Sequence, residues 1–154
     1  GYYSKLINIK SKVAPYLILA SHHGIPKKYF EKVEPYHCYC HKTPRLIKEK
    51  FSDVEIETTF QSRFCPQEWL QPYTDKTLAN LPKIGKKNIL VICPGFSSDC
   101  VETLEEISIQ GKESLINSGG KNFDVVQCLN DNKDNSKLIN TLVERDIFRN
   151  GIVI

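Results

Sequence analysis

Along the chain, nearly continuous apolar runs alternate with stretches whose apolar residues recur every three or four positions. Four runs read as strands: Tyr16 to Ala20, Val54 to Phe60, Asn88 to Cys93 and Phe123 to Leu129. "NILVIC" is apolar almost throughout, as a strand covered on both faces requires, whereas "VEIETTF" alternates and predicts a strand nearer an edge. Helices are predicted between them, over Cys40 to Phe51, Asp75 to Leu81, Asp99 to Asn117 and Ser136 to Phe148. The third has the clearest pattern, with Val101, Leu104, Ile107, Leu115 and Ile116 on one stripe, Asp99 to cap its start and Gly119-Gly120 to end it. Strand and helix alternating at this spacing predict an α/β fold: a three-layer parallel sheet of about four strands with flanking helices, with residues 1–154 forming a single lobe.

In open α/β sheets, ligands collect beyond the carboxyl ends of the strands. "SHHGIP" is expected beyond the first strand, "QSRF" beyond the second and "PGFSSDCVE" beyond the third. Adjacent side chains of an extended segment point to opposite sides, so only one of His22 and His23 faces a cleft while the other packs or meets solvent. A cleft imidazole would serve as a base or hold a divalent metal; the plainer alternative is a pair of surface histidines. Glu102 stands three residues after Asp99, which suits a capping box as well as a site. Glu106 and Gln110 follow at one-turn steps, as a path for a cation or as a solvated face. Trp69, with Leu70, Pro72 and Tyr73, either staples a helix start at Thr74 and Asp75 or meets a flat apolar ligand. "PYHCYCHK" gathers His37, Cys38, Cys40 and His41, but Cys-x-Cys lacks the usual zinc-knuckle spacing, so reduced cysteines are expected there.

Composition narrows the partners. The net charge is only +3 and both signs are interspersed, so no nucleic-acid partner is expected. No apolar run reaches the roughly 18 to 20 residues of a bilayer span, and no signal-peptide pattern opens the chain, which predicts a cytoplasmic location and reduced thiols for its six cysteines. The chain opens at Gly1 and contains no methionine, as if its true beginning were missing.

Four ordered blocks, "SHHGIPKKYF", "PYHCYCHKTPRLI", "TTFQSRFCPQEWLQPYTDKTL" and "VICPGFSSDCVETLEEI", resemble the carboxyl-terminal half of ferrochelatase, which inserts ferrous iron into a porphyrin to make haem. The resemblance implies that His23 is the active-site base and Glu102 the carboxylate across the pocket, with His23, Glu102 and Glu106 on the path of the metal. It implies that Trp69 and Phe96 line the porphyrin pocket, with Gln61, Ser62 and Arg63 as the strand-end block beside it. Gln110 stands where some members carry a carboxylate and Cys100 where many carry histidine, a subfamily mark. The blocks look like the proteobacterial type, which implies protoporphyrin IX over coproporphyrin III. Ferrous iron is then a substrate, with no permanently bound cofactor. No iron–sulfur cluster is expected, since neither the cysteine-rich tail nor the insertion of some relatives occurs before Ile154. The family has two lobes around the porphyrin. On this reading the amino-terminal lobe is absent here, and peripheral contact with the inner membrane is plausible by resemblance alone. Two alternatives remain beside it: a catalytically incomplete half-enzyme, and a metal-binding module built on His37, Cys38, Cys40 and His41.

Overall fold

The computed structural model describes residues 17–32, 35–51 and 54–150, with the side chains of Phe148 and Asn150 left aside. Strand β1 (Leu17–His23) leads through a single helical turn, α1 (Lys27–Phe30), to helix α2 (Tyr36–Lys50) and strand β2 (Glu55–Gln61). Helix α3 (Thr74–Asn80) runs into a 3₁₀ turn (Leu81–Ile84) and then strand β3 (Asn88–Ile92). A π-helix (Glu102–Gly111) continues as α4 (Lys112–Asn117), and β4 (Asn122–Val126) and α5 (Lys133–Asn150) follow. The strands form one parallel sheet in the order β2-β1-β3-β4.

Strand alternation divides the core into two layers. Leu17 and Leu19 of β1, with Ile89 and Val91 of β3, meet Leu78 of α3, Ile107 of the π-helix and Leu115 of α4. Ile18 and Ala20, with Leu90, Ile92 and Val126, face Ile47 at the end of α2 and Phe51 beyond it. β1 and β3 are buried on both faces, which is why "NILVI" is apolar at every position after its first. β2, at an edge, starts half-exposed at Glu55–Glu57 and is buried only from Thr58 onward. On α5, Leu138, Ile139, Leu142 and Val143 are exposed.

Several elements differ from the sequence-based expectation; β4 ends at Val126 rather than Leu129, and α5 starts at Lys133 rather than Ser136. The predicted strand start at Tyr16 lies outside the described residues, but the strand end does not fall at Ala20. β1 continues through Ser21, His22 and His23, which pair with Thr59, Phe60 and Gln61 of β2, because backbone ladder bonds are indifferent to the polarity of the side chains above them. Helix α2 begins at Tyr36, four residues before the predicted start, and takes the whole "HCYCH" block into its first turns. The segment predicted as a helix from Asp99 to Asn117 is π-helical over Glu102–Gly111, and the Ser108 hydroxyl donates to the carbonyl of Thr103, five residues back, at 2.9 Å. Among the described residues, no helix is long and apolar enough to cross a membrane.

Candidate active site

Beyond the carboxyl end of β2 the chain meets the π-helix at a cavity of about 410 Å³ bordered by Ser62, Arg63, Phe64, Glu102, Glu106 and Leu78. Glu105, Asp75 and Gln110 complete its polar rim. The wide π-helical turn sends Thr103, Ile107 and Gly111 into the core, and the residue before each one, Glu102, Glu106 and Gln110, to the cavity side.

His23 ends β1 on the face that carries Leu17 and Leu19. Its ring lies between Phe64 and Phe96, with centroids 5.7 and 6.3 Å away. Nδ1 is 2.6 Å from the carbonyl oxygen of Gly24. A carbonyl can only accept, so Nδ1 carries the proton and Nε2 is the ring's basic nitrogen. The backbone carbonyl of His23 accepts from the Tyr36 hydroxyl at 2.8 Å, which ties the strand end to α2. Gly24 then lets the chain turn against β2: its amide donates to the carbonyl of Gln61 at 2.7 Å. A Cβ at this position would stand 2.8 Å from that oxygen and 3.3 Å from the Trp69 ring.

Behind the cleft lies a buried polar floor. Ser21 donates to Oε1 of Gln61 at 2.6 Å, and Thr74 donates to Thr59 at 2.9 Å. Gln61 Nε2 donates to the backbone carbonyl of Glu102 at 2.7 Å. Gln61, only 2 % exposed, is therefore a strut between β2 and the start of the π-helix rather than a wall of the cavity. Ser62, in the left-handed region at φ 64°, donates from its amide to one oxygen of Glu106 at 2.7 Å and from its hydroxyl to the other at 2.6 Å. Arg63 pairs with Asp75 at 2.6 Å and lies 4.1 Å over the Tyr73 ring, so its guanidinium is committed to the rim.

Glu102 is half-buried. A hydrogen bond from the Cys100 thiol, helped by its own amide and by the nearby His23 imidazole, holds its carboxyl below the usual range. The capping box predicted between Asp99 and Glu102 does not form. Asp99 instead accepts from the Thr103 hydroxyl, the Cys128 amide and Nδ2 of Asn130, at 3.1, 3.2 and 2.8 Å. The amide of Cys100 donates to Thr103 at 3.0 Å. Burial pushes the Asp99 carboxyl upward, but these hydrogen bonds win and hold it below its ordinary value. The start of the π-helix is thus fastened to the segment after β4.

The structure thus brings His23, Phe96, Ser62, Arg63, Glu102 and Glu106 to one strand edge. Trp69, 6 % exposed, stands one ring further back: it meets Phe64 edge-on at 6.3 Å and donates from Nε1 to the carbonyl of Cys65 at 3.2 Å. Phe64, which touches both His23 and Trp69, was not singled out from the sequence, although it closes the "QSRF" block; an exposed phenylalanine directly after a strand-end arginine was the available signal. Among the described residues, no three His, Cys, Asp or Glu side chains gather in a metal-holding arrangement, His23, Glu102 and Glu106 included. The same holds for the "HCYCH" block. Cys38 is exposed while Cys40 turns into the core beside Tyr36, where burial pushes its thiol up to about 11. All six cysteines are free of disulfides.

His22 faces the other way. It is 4 % exposed, tilted 6.4 Å from Phe60, on the side of the sheet that α2 covers.

A family model described as ferrochelatase matches residues 3–147. A ferrochelatase of Rhizobium meliloti is 53 % identical over 135 residues, covering 86 % of this chain and 40 % of that protein. A ferrochelatase of Allorhizobium ampelinum is 51 % identical over 135 residues, covering 86 % and 39 %, and one of Francisella tularensis subsp. novicida is 45 % identical over 137, covering 86 % and 41 %. The chain thus spans about 40 % of the length of the curated relatives it matches. A solved structure of a putative cobalamin biosynthesis CbiX protein from Marinobacter aquaeolei VT8 superposes with a TM-score of 0.55 at 12 % identity, covering 88 % of this chain and 99 % of that one, a likeness of fold.

Proposed function

Because the chain belongs to the ferrochelatase family, we propose that it supplies one lobe of an enzyme that inserts ferrous iron into protoporphyrin IX. The observation that carries this reading is His23 at the end of β1, with Nε2 as its basic nitrogen and two phenylalanines beside it, near enough to Glu102 on the π-helix for its imidazole to favour that carboxylate. Metallation removes two pyrrole N–H protons as one Fe²⁺ enters, so the ring becomes a dianion that neutralises the cation. Nε2 of His23 accepts the first proton. Glu102, held anionic, takes the second or draws water from the arriving iron. Phe64 and Phe96 present flat apolar surface to the macrocycle, and Glu106, fixed by Ser62, continues the acidic path behind Glu102. Iron is the substrate here, and the protein's part is proton transfer and positioning. In this reading the opposite wall of the pocket, with any peripheral membrane contact, belongs to a second lobe.

A second reading, which rests on the chain spanning about 40 % of its relatives' length, is a half-enzyme that metallates nothing unless the other lobe is supplied. Anaerobic metallation of protoporphyrin IX with ferrous iron, followed by absorbance, separates the two. Turnover that is lost in His23→Ala and largely kept in His22→Leu supports catalysis by this lobe. Equal loss from both substitutions overturns the assignment of His23. No turnover above the His23→Ala control makes the chain an incomplete half.

A further inference from the structure

On the sheet face opposite His23, three imidazoles surround the Phe60 ring: His22 at 6.4 Å, His37 at 5.9 Å and His41 at 6.4 Å between centroids. His37 and His41 lie four residues apart on α2, so their side chains stand one turn above the other. Their Nε2 atoms are 3.1 Å apart and their ring centroids 4.4 Å apart. His37 is oriented by its near-parallel stack on Phe60, at 18°, and by Phe30 at 4.9 Å, while His41 is exposed. A metal bonded to both nitrogens at about 2.05 Å would subtend an N–metal–N angle of about 98° across the 3.1 Å separation, between the square-planar and tetrahedral values.

We propose that His37 and His41 form a two-imidazole binding site for a borderline divalent transition metal, with water in the remaining positions, on the face of the sheet away from the cleft. The thiols of the same block do not contribute, since Cys40 is turned into the core and Cys38 lies about 100° further round the helix from His37. Two neutral nitrogens without a carboxylate favour nickel, copper and zinc over ferrous iron, in the order that imidazole ligands generally follow. The site is therefore selective against the ion that the cleft is proposed to use, and it belongs to the helix surface rather than to the path of iron.

The test is isothermal titration of the reduced chain with Ni²⁺ and with Zn²⁺ at neutral pH, in a His23→Ala, Glu102→Gln, Glu106→Gln background that strips the cleft of its imidazole and its two inner carboxylates. One equivalent of each ion is expected to bind. His37→Gln and His41→Gln should each weaken binding by more than about tenfold, because a chelate is reduced to a single imidazole, and Cys38→Ser should leave it unchanged. Circular dichroism of the variants checks that α2 still forms. Binding that survives both histidine substitutions, binding lost in Cys38→Ser, or no binding of either ion overturns the proposal.

Discussion

His22 should make the folded chain sensitive to mild acid. Burial, with the nearby His41 adding, lowers its pKa to about 4, and Nε2 is buried with no hydrogen-bond partner among the described residues. In the unfolded chain the same group titrates near 6.5. Below that pH the unfolded state takes up a proton that the folded state refuses, so stability is complete above pH 6.5 and drains away as the pH falls toward 4. At pH 5 the loss is about 2 kcal/mol, rising to about 3.4 kcal/mol below pH 4. The carboxyls of Asp99 and Glu102 are held below their usual ranges and so titrate outside a window from pH 8 to pH 5. Urea unfolding at these two pH values, on the native chain and on His22→Leu, isolates the effect. Leucine has a similar bulk and no proton to lose, so the variant should match or exceed the native chain at pH 8 and should lose about 2 kcal/mol less on going to pH 5. An identical loss in both proteins would show that His22 is not the group that acid charges.

Three further substitutions test the frame of the cleft. Ser62→Ala removes the hydroxyl from the Glu106 carboxylate while keeping the amide contact, and should cost about 1.5–3 kcal/mol in urea unfolding; a change below about 0.5 kcal/mol, the size of an ordinary surface substitution, would mean that the clamp is not made in solution. Gly24→Ala forces a Cβ against the Gln61 carbonyl and the Trp69 ring, so about 1–3 kcal/mol of stability should be lost together with a shift in the emission of Trp69, the sole tryptophan; an unmoved spectrum would refute the contact. Asp99→Ala leaves the Cys128 amide and Asn130 without their acceptor and should cost about 2 kcal/mol, read as a lower urea midpoint at neutral pH.

The alternation of "VEIETTF" and the apolar run "NILVIC" were sufficient to read an edge strand and a central one, because burial on one face or two leaves different periods. The same period-two logic sends His22 and His23 to opposite faces, while the choice of His23 came from the resemblance. Apolar pattern could not locate the end of β1, since the ladder with β2 runs on under Ser21, His22 and His23 after the apolar residues stop. Nor could it reveal the π-helix. Val101, Leu104 and Ile107 fit an α-helical stripe, yet Val101 and Leu104 are exposed and the buried series is Thr103, Ile107 and Gly111. The resemblance groups the polar strut Gln61 with the pocket, whereas its side chain is spent on Ser21 and on the carbonyl of Glu102.

That pleat sets the geometry of the cleft. His23 and Gln61 are Cα partners across β1 and β2, so the candidate base sits opposite the residue that grips the carbonyl of Glu102. Ser62, the next residue, grips the carboxylate of Glu106. Both carboxylate-bearing turns of the π-helix are therefore fastened to the strand end that faces His23, and a one-residue slip of β2 would move Gln61 to the opposite face and release the first of them. A π-helix, with strained wide turns, is a poor ruler by itself. The distance between imidazole and carboxylates is held instead by the register of β1 and β2, which pair residue for residue from Leu17 with Glu55 to His23 with Gln61, with β1 buried along its length and β2 from Thr58 onward.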